Sequence, residues 1–194
     1  MKTVFFDIDT QIDFLYSAGA LYVPGAERIV PAVAALNRHA ARNGITVVSD
    51  MDAHSEDDPE FRIWPAHCVA GTAGQAKPAC TLLEKRVILP NRPSNLEEVE
   101  GAQQILVEKQ TLDVFDTCNI GALLERLKAD RYVVYGVVTE YCVRLAALGL
   151  LRTGKPVALA TDAVETLDPA GSRRMLEEFT VAGGTLTTVA QVCG

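Results

Sequence analysis

Short apolar runs alternate along this chain with segments whose apolar residues follow helical spacing. Runs of strand length recur at Val4 to Ile8, Ile45 to Val48, Ile105 to Val107, Tyr132 to Val138, Val157 to Ala160 and Thr185 to Val189. A strand can be apolar throughout only when both faces of its sheet are covered. We therefore predict a three-layer α/β/α fold with a mostly parallel, six-stranded sheet in the Rossmann-like order 3-2-1-4-5-6.

Four helices are predicted between these strands. One apolar stripe runs from Ile29 to Ala40 and ends at Asn43-Gly44, and a second includes Leu123, Leu124 and Leu127. Further helices are predicted over 143–152 and 169–181. The interval from Met51 to about Lys85 contains three prolines and no periodicity, which is typical of a functional loop. The length of 194 residues predicts one domain over 1–194.

The net charge limits the kinds of molecule that we expect the protein to bind. A net charge of −7 argues against a nucleic-acid surface, and no apolar stretch is long enough for a signal sequence or a membrane span. We expect a cytoplasmic protein that binds a small molecule and that is free to form a homo-oligomer. The five cysteines lack CxxC spacing, so each is interpreted as a thiol.

Ionisable residues follow three of the predicted strands. Ligands of parallel sheets bind beyond the carboxyl ends of the strands, which is where Asp9, Lys109 and Cys142 stand. Cys142 would open a helix, whose N-terminus favours a thiolate, but a buried cysteine also packs as a small hydrophobe. Asp9 fits either a general base or a turn aspartate, and Lys109 fits either a polarising cation or a solvated strand end.

Two of the three histidines lie close together in the long loop. His54 follows Asp52, and His67 stands in the segment from Trp64 to Cys68. Imidazole, carboxylate and thiol groups are metal ligands. The loop therefore predicts a metal site drawn from Asp52, His54, His67 and Cys68.

Five segments in order resemble one family. Asp9-Thr10-Gln11-Ile12-Asp13-Phe14, Lys109 with Phe115 six residues later, and Gly136 to Cys142 resemble the three signature segments of the isochorismatase-like cysteine hydrolases. Asp52-Ala53-His54 and the segment from Trp64 to Thr72 resemble the nicotinamidase branch of that family. The resemblance spans most of the chain.

The resemblance implies a role for each site residue. Cys142 would be the nucleophile, Asp9 its proton acceptor and Lys109 the third catalytic residue. The oxyanion would be held by the N–H groups of Val138 and Cys142, next to a cis peptide between Val137 and Val138. One divalent ion of zinc, iron or manganese would bind the ring nitrogen of nicotinamide. Its ligands would be Asp52, His54 and His67, with Phe14, Trp64 and Tyr141 around the substrate and Cys68 as a structural neighbour.

Two positions depart from the family pattern. Acidic residues stand where many nicotinamidases have a further histidine, so Asp58 and Glu60 are candidates for an added metal ligand, with water as the alternative. Asp113 stands four positions after Lys109 in place of a small residue, which predicts a more acidic substrate end of the pocket.

Three other interpretations remain open. Within the family, the substrate could be another small amide or a ureido compound instead of the nicotinamide used in NAD salvage. Phe6-Asp7-Ile8-Asp9-Thr10 also resembles the DxDxT segment of haloacid-dehalogenase-type phosphatases, although no late pair of acidic magnesium ligands follows it. A non-catalytic module would use His54, His67 and Cys68 as structural ligands, but CxxC spacing is absent.

Overall fold

A computed structural model describes residues 1–194 and contains one parallel sheet. Its seven strands lie in the order β3-β4-β2-β1-β5-β6-β7, and every neighbouring pair is parallel. The strands are β1 (Thr3–Ile8), β2 (Thr46–Asp52), β3 (Arg86–Leu89), β4 (Gln104–Lys109), β5 (Arg131–Gly136), β6 (Val157–Val164) and β7 (Thr185–Thr187).

Six helices cover the sheet on its two faces, which gives the predicted three layers. Val4, Phe6 and Ile8 of β1 belong to one apolar cluster, together with residues of α3 (Ile120–Leu127), α4 (Arg144–Leu151) and α5 (Pro169–Val181). Phe5 belongs to the cluster on the opposite face, together with residues of α1 (Ile12–Leu15) and α2 (Val30–Arg42), and partly buried residues of α6 (Val189–Cys193) pack against it. None of these helices is long and apolar enough to cross a membrane.

The sheet differs from the prediction by one strand. The six-strand prediction is wrong because β3 adds a seventh strand, which pairs only with β4 at the edge of the sheet. The other six strands keep the predicted relative order. Arg86 and Ile88 of β3 are exposed, so this strand lacks the continuous burial that identified the others.

Two strands end earlier than predicted. β5 stops at Gly136, whose φ of +123° takes the chain out of the extended conformation before Val138. β7 stops at Thr187, because Thr188 caps α6. The Thr188 hydroxyl accepts the N–H of Gln191 while the Gln191 side chain accepts the N–H of Thr188, a reciprocal arrangement that fixes the helix start.

Candidate active site

The predicted site residues lie at the carboxyl edge of the sheet. Asp9 directly follows β1, Asp52 ends β2 and Lys109 ends β4. Cys142 lies in a π-helical turn, Thr139–Val143, that joins the end of β5 to α4, so it precedes the α-helix that it was predicted to open. Since these strands are neighbours and parallel, residues far apart in sequence meet in one cleft.

Lys109 joins the two carboxylates of this edge. Its Nζ lies 3.0 Å from Asp9 Oδ2 and also contacts Asp52 Oδ1, and its side chain is fully buried. Burial alone would lower the pKa of Lys109, but the charges of Asp52 and Asp9 raise it well above the usual value. Lys109 is therefore a fixed positive charge between the two acids.

Asp9 and Cys142 have the protonation states that a proton transfer between them needs. Burial and the charge of Asp52 raise the pKa of Asp9 to about 6, against the opposing effect of Lys109. Burial also raises the pKa of the Cys142 thiol well above its usual value, although Lys109 acts to lower it. At neutral pH the carboxylate can accept a proton and the cysteine still holds one.

Asp52, His54 and His67 form a compact set of metal donors. Their ligand atoms all lie within 4.8 Å of one another. Asp52 Oδ2 lies 3.7 Å from His54 Nε2 and 3.5 Å from His67 Nε2. The two histidines meet because the loop returns alongside itself: the His54 N–H donates to the Cys68 carbonyl, and the Ala70 N–H donates to the His54 carbonyl.

The hydrogen-bonding state of the imidazoles fits a divalent cation. His67 Nδ1 lies 2.7 Å from the Pro65 carbonyl, which can only accept, so in the neutral imidazole the lone pair is on Nε2. His54 Nε2 is buried and has no hydrogen-bond partner. Two imidazole nitrogens and a carboxylate suit zinc, iron or manganese.

Asp58 and Glu60 occupy different places around this set. Asp58 Oδ2 lies 3.0 Å from His54 Nδ1, the nitrogen that points away from Asp52; this is an ion-pair contact, because Nδ1 makes no hydrogen bond. Glu60 instead lines the cleft, and burial raises the pKa of its carboxyl. Of the two candidates for an added ligand, Glu60 is therefore the one that faces the cleft.

The cleft beside these residues is mostly apolar. Ten of its fourteen lining residues are hydrophobic. The lining consists of Asp9, Phe14, Leu21, Val23, Asp52, Glu60, Trp64, His67, Leu112, Val137, Val138, Tyr141, Cys142 and Leu167. A mostly apolar lining with a few converging polar groups is typical of a small-molecule site.

Aromatic rings surround the cleft and the imidazoles. The Trp64 and Tyr141 rings meet edge to face with centroids 5.8 Å apart, and the Phe14 ring lies 5.3 Å from that of His67. Phe61, which the sequence analysis overlooked, lies 5.2 Å from the His54 ring. Its position on a 3₁₀ turn within an irregular loop gave no periodic signal.

Leu112, and not Asp113, lines the cleft where Asp113 was predicted to add acidity. Asp113 does not line the cleft, because its Oδ1 accepts the Phe115 N–H at 3.0 Å and caps a short 3₁₀ turn. The predicted increase in acidity at the substrate end is therefore wrong for this residue. The apolar side chain of Leu112 takes its place in the wall.

The turn before Cys142 contains the expected cis peptide between Val137 and Val138. The Val138 carbonyl accepts the N–H groups of Tyr141 and Val143, so it is directed into the turn. The Val138 N–H donates to no backbone carbonyl. This leaves a free backbone donor next to Cys142 at the cleft.

Two polar residues that follow Asp9 hold the loop that bears His54 and His67, although no role was predicted for them from the sequence. The Gln11 side chain accepts the Asp52 N–H at 2.7 Å and donates to the carbonyls of Asp52 and Gln75. The Asp13 carboxylate accepts the Cys68 N–H at 2.7 Å. For both residues, the signal in the sequence was a polar side chain shortly after a buried strand.

Cys68 and Asp7 lie outside the reacting groups. Cys68 is buried, contacts the Gly74 carbonyl and has a pKa raised by burial. It is not part of the donor set, as expected for a structural neighbour. Asp7 does not line the cleft and is paired with Lys77, so the DxDxT interpretation gains no second acid at the site.

Comparison with known proteins identifies the family. The model of the isochorismatase domain matches residues 3–191. The chain belongs to the isochorismatase family. The nicotinamidase of Escherichia coli (strain K12) is 26% identical to this member of the family over 94% of the chain and 93% of its own length.

Two solved structures illustrate the range of the family. Pyrazinamidase of Pyrococcus horikoshii in complex with zinc has 28% identity and a TM-score of 0.82, covering 97% of this chain and 99% of that one. N-carbamoylsarcosine amidase from Thermoplasma acidophilum has 26% identity and a TM-score of 0.76, covering 97% of both chains. The predicted resemblance is thus confirmed, and this isochorismatase-family protein is an amidohydrolase acting on C–N bonds of amides.

Proposed function

We propose that the protein is a metal-containing nicotinamidase that converts nicotinamide and water to nicotinate and ammonia. The observation that carries the proposal is that Asp9, Cys142, Asp52 and His67 line one mostly apolar cleft. Similarity to the nicotinamidase of Escherichia coli and to a pyrazinamidase supports this substrate class. Phe14, Trp64 and Tyr141 supply aromatic surfaces against which a pyridine ring would pack.

In the first half of the reaction Asp9 takes the proton of the Cys142 thiol. The thiolate attacks the carboxamide carbon, and the oxyanion is held by the N–H groups of Val138 and Cys142. Ammonia leaves with the proton returned by Asp9, and a thioester on Cys142 remains. Lys109 keeps its charge throughout and holds the Asp9 carboxylate in position.

In the second half Asp9 accepts a proton from water, which attacks the thioester carbon. The acid departs and the sulfur of Cys142 regains the proton. Asp52, His54 and His67 would hold the divalent ion, and Glu60 is a further carboxylate that lines the same cleft. When bound, the ion supplies a Lewis acid that fixes the ring nitrogen of the substrate.

The test is ammonia release from nicotinamide, pyrazinamide and aliphatic amides, each with and without a chelator. We expect rapid release from the two ring amides and its loss on chelation. Cys142→Ala should abolish release while leaving the metal content of the purified protein unchanged. Turnover by Cys142→Ala would overturn the mechanism, and no release from either ring amide would overturn the substrate.

A second candidate is an amidohydrolase of another small amide or ureido compound. The similarity to N-carbamoylsarcosine amidase favours keeping it. A carboxylate-bearing substrate would meet Asp9, Asp52 and Glu60 in a lining that contains no lysine or arginine, and the nearby Lys109 is already paired with Asp9 and Asp52. Adding N-carbamoylsarcosine to the panel distinguishes the two candidates, because faster release from it than from nicotinamide would favour the second.

A further inference from the structure

Asp9 has a backbone conformation that is uncommon for residues other than glycine. Its φ is +47°, in the left-handed region where a side chain crowds the following carbonyl. The strand β1 ends at Ile8, so the sheet ladder no longer fixes this residue. The direction of the Cα–Cβ bond, and with it the place of the carboxylate, depends on what holds this turn.

Asp50 supplies that support from the neighbouring strand. Its Oδ1 accepts the Asp9 N–H at 2.9 Å. Asp50 lies inside β2, paired with Ile8 of β1 on one side and with Val107 of β4 on the other. The acceptor therefore lies on a central strand, and the Asp50 side chain is almost completely buried.

The other carboxyl oxygen of Asp50 makes no hydrogen bond that would stabilise the fold. Oδ2 is buried and has no hydrogen-bond partner, while the nearby Lys77 Nζ reaches the Asp50 backbone carbonyl at 3.4 Å. Asp50 does not line the cleft and takes no part in the proposed reaction. A buried carboxyl oxygen without a partner costs free energy, and such local costs are concentrated at functional sites.

We propose that Asp50 is a positioning residue that holds the proton acceptor Asp9 in its left-handed turn and so directs the Asp9 carboxylate at Cys142. The inference rests on the proposed function for the role of Asp9. In this role Asp50 needs only one oxygen atom that accepts the Asp9 N–H. An asparagine, which keeps one carbonyl oxygen and replaces the partnerless one with NH₂, should therefore substitute for it.

The experiment compares Asp50→Asn with Asp50→Leu and Asp50→Ala, which lack an acceptor. For nicotinamide hydrolysis we expect kcat to fall roughly 10- to 100-fold in the leucine and alanine variants, because misplacement by about 1 Å has effects of this order. KM should stay within roughly threefold, since Asp50 is outside the cleft. Asp50→Asn should keep kcat within roughly threefold of the unaltered protein.

Alkylation of Cys142 by iodoacetamide, followed by mass spectrometry, gives a measurement that needs no substrate. Its rate should fall in the leucine and alanine variants, while the exposed Cys80 and Cys118 react as before. If the unaltered protein hydrolyses no nicotinamide, the proposed function fails, yet this measurement still tests the link from Asp50 to Cys142. If Asp50→Leu folds poorly, Asp50→Ala repeats the test without the bulk of the leucine side chain.

Leu123→Ala serves as a control for lost stability, because Leu123 is fully buried in α3 away from the cleft. It should lower the melting temperature and leave kcat and Cys142 alkylation unchanged, with all assays run well below each melting temperature. Unchanged kcat and alkylation in Asp50→Leu and Asp50→Ala would overturn the proposal. So would an asparagine variant as slow as the leucine variant.

Discussion

At the scale of single residues, Lys109 links the two halves of the candidate site. It contacts Asp9, the proposed proton acceptor, and Asp52, a member of the metal-donor set. Burial and the charge of Asp52 favour the protonated form of Asp9, whereas Lys109 favours the carboxylate. The pKa of about 6 is the balance of these effects, and it keeps Asp9 ionised but basic near neutrality.

This balance predicts the acid limb of the pH profile. The pKa of Asp9 is raised, so the carboxylate is present above pH 6 and is lost as the pH falls through that value. We expect kcat/KM for nicotinamide to fall about tenfold per pH unit below the pKa, because only the base form accepts the Cys142 proton. Initial rates between pH 4.5 and 8 measure this, and a profile that stays flat down to pH 5 would contradict it.

Asp58 allows a prediction about the metal site. Removing its contact with His54 Nδ1 in Asp58→Ala should weaken metal binding by about 10- to 100-fold, since partners behind a ligand histidine hold its orientation. Competition with a chromogenic zinc chelator measures the affinity. Asp57→Ala is the matched control, because it removes an adjacent exposed carboxylate. Equal affinities in the two variants would show that Asp58 has no such part.

The sequence predicted which residues form the site better than it predicted how they are arranged. Asp9, Lys109 and Cys142 were recognisable because each follows a strand whose apolar run is visible in the sequence. Asp58 and Glu60 were indistinguishable as candidate ligands, since their roles depend on the path of a loop without periodicity. The structure separates them, because Asp58 contacts His54 whereas Glu60 lines the cleft.

At the scale of elements, the end of β5 sets the position of the turn that carries Cys142. Gly136 has a φ of +123°, and a Cβ there would lie 2.0 Å from the Ile8 carbonyl oxygen of β1. A side chain at this position would push β1 and β5 apart immediately before Asp9 and Cys142. The close approach of the two strands thus requires glycine.

Gly136→Ala should therefore cost about 3 kcal/mol or more of unfolding free energy, as strain from the backbone conformation adds to the steric clash. Gly154→Ala is the control, because Gly154 also has a positive φ but a Cβ there would meet no atom within 4 Å. It should cost about 1 kcal/mol. Urea denaturation measures both, and equal costs would mean that the contact with Ile8 does not matter.

Strand prediction succeeded or failed according to burial. β1, β4 and β5 were found because their neighbours on both sides and both faces require apolar residues. β3 was missed because it is four residues long, pairs on one side only and exposes Arg86 and Ile88. An edge strand carries too little of the apolar pattern to be separated from a loop.

At the scale of the whole molecule, the long loop between β2 and β3 is tied to the sheet by buried polar contacts. Lys77 lies in this loop and pairs with Asp7 of β1 at 3.3 Å, with both side chains buried. Asp7 also accepts the hydroxyls of Thr10 and Ser49. These contacts join the loop that bears His54 and His67 to the centre of the sheet.

Lys77→Met should cost about 3–5 kcal/mol of unfolding free energy, because it leaves the buried Asp7 carboxylate without its cation. The matched control is Arg126→Met, which breaks the exposed pair with Glu100 and should cost at most about 1 kcal/mol. Guanidinium denaturation of both variants gives the comparison. A loss in Lys77→Met no larger than in the control would show that the buried pair contributes little.

The walls of the cleft and its reacting groups come from separate pieces of chain. Leu21, Leu112 and Leu167 line the cleft from three loops, whereas Asp9 and Lys109 lie at the ends of β1 and β4 and Cys142 lies in the turn after β5. Exchanging a leucine for a larger, smaller or polar side chain would reshape the cavity and leave the proton-transfer geometry intact. Such modularity is a route by which one hydrolytic scaffold can diverge toward new amides, and it makes these three leucines the positions to randomise in a laboratory evolution of substrate preference.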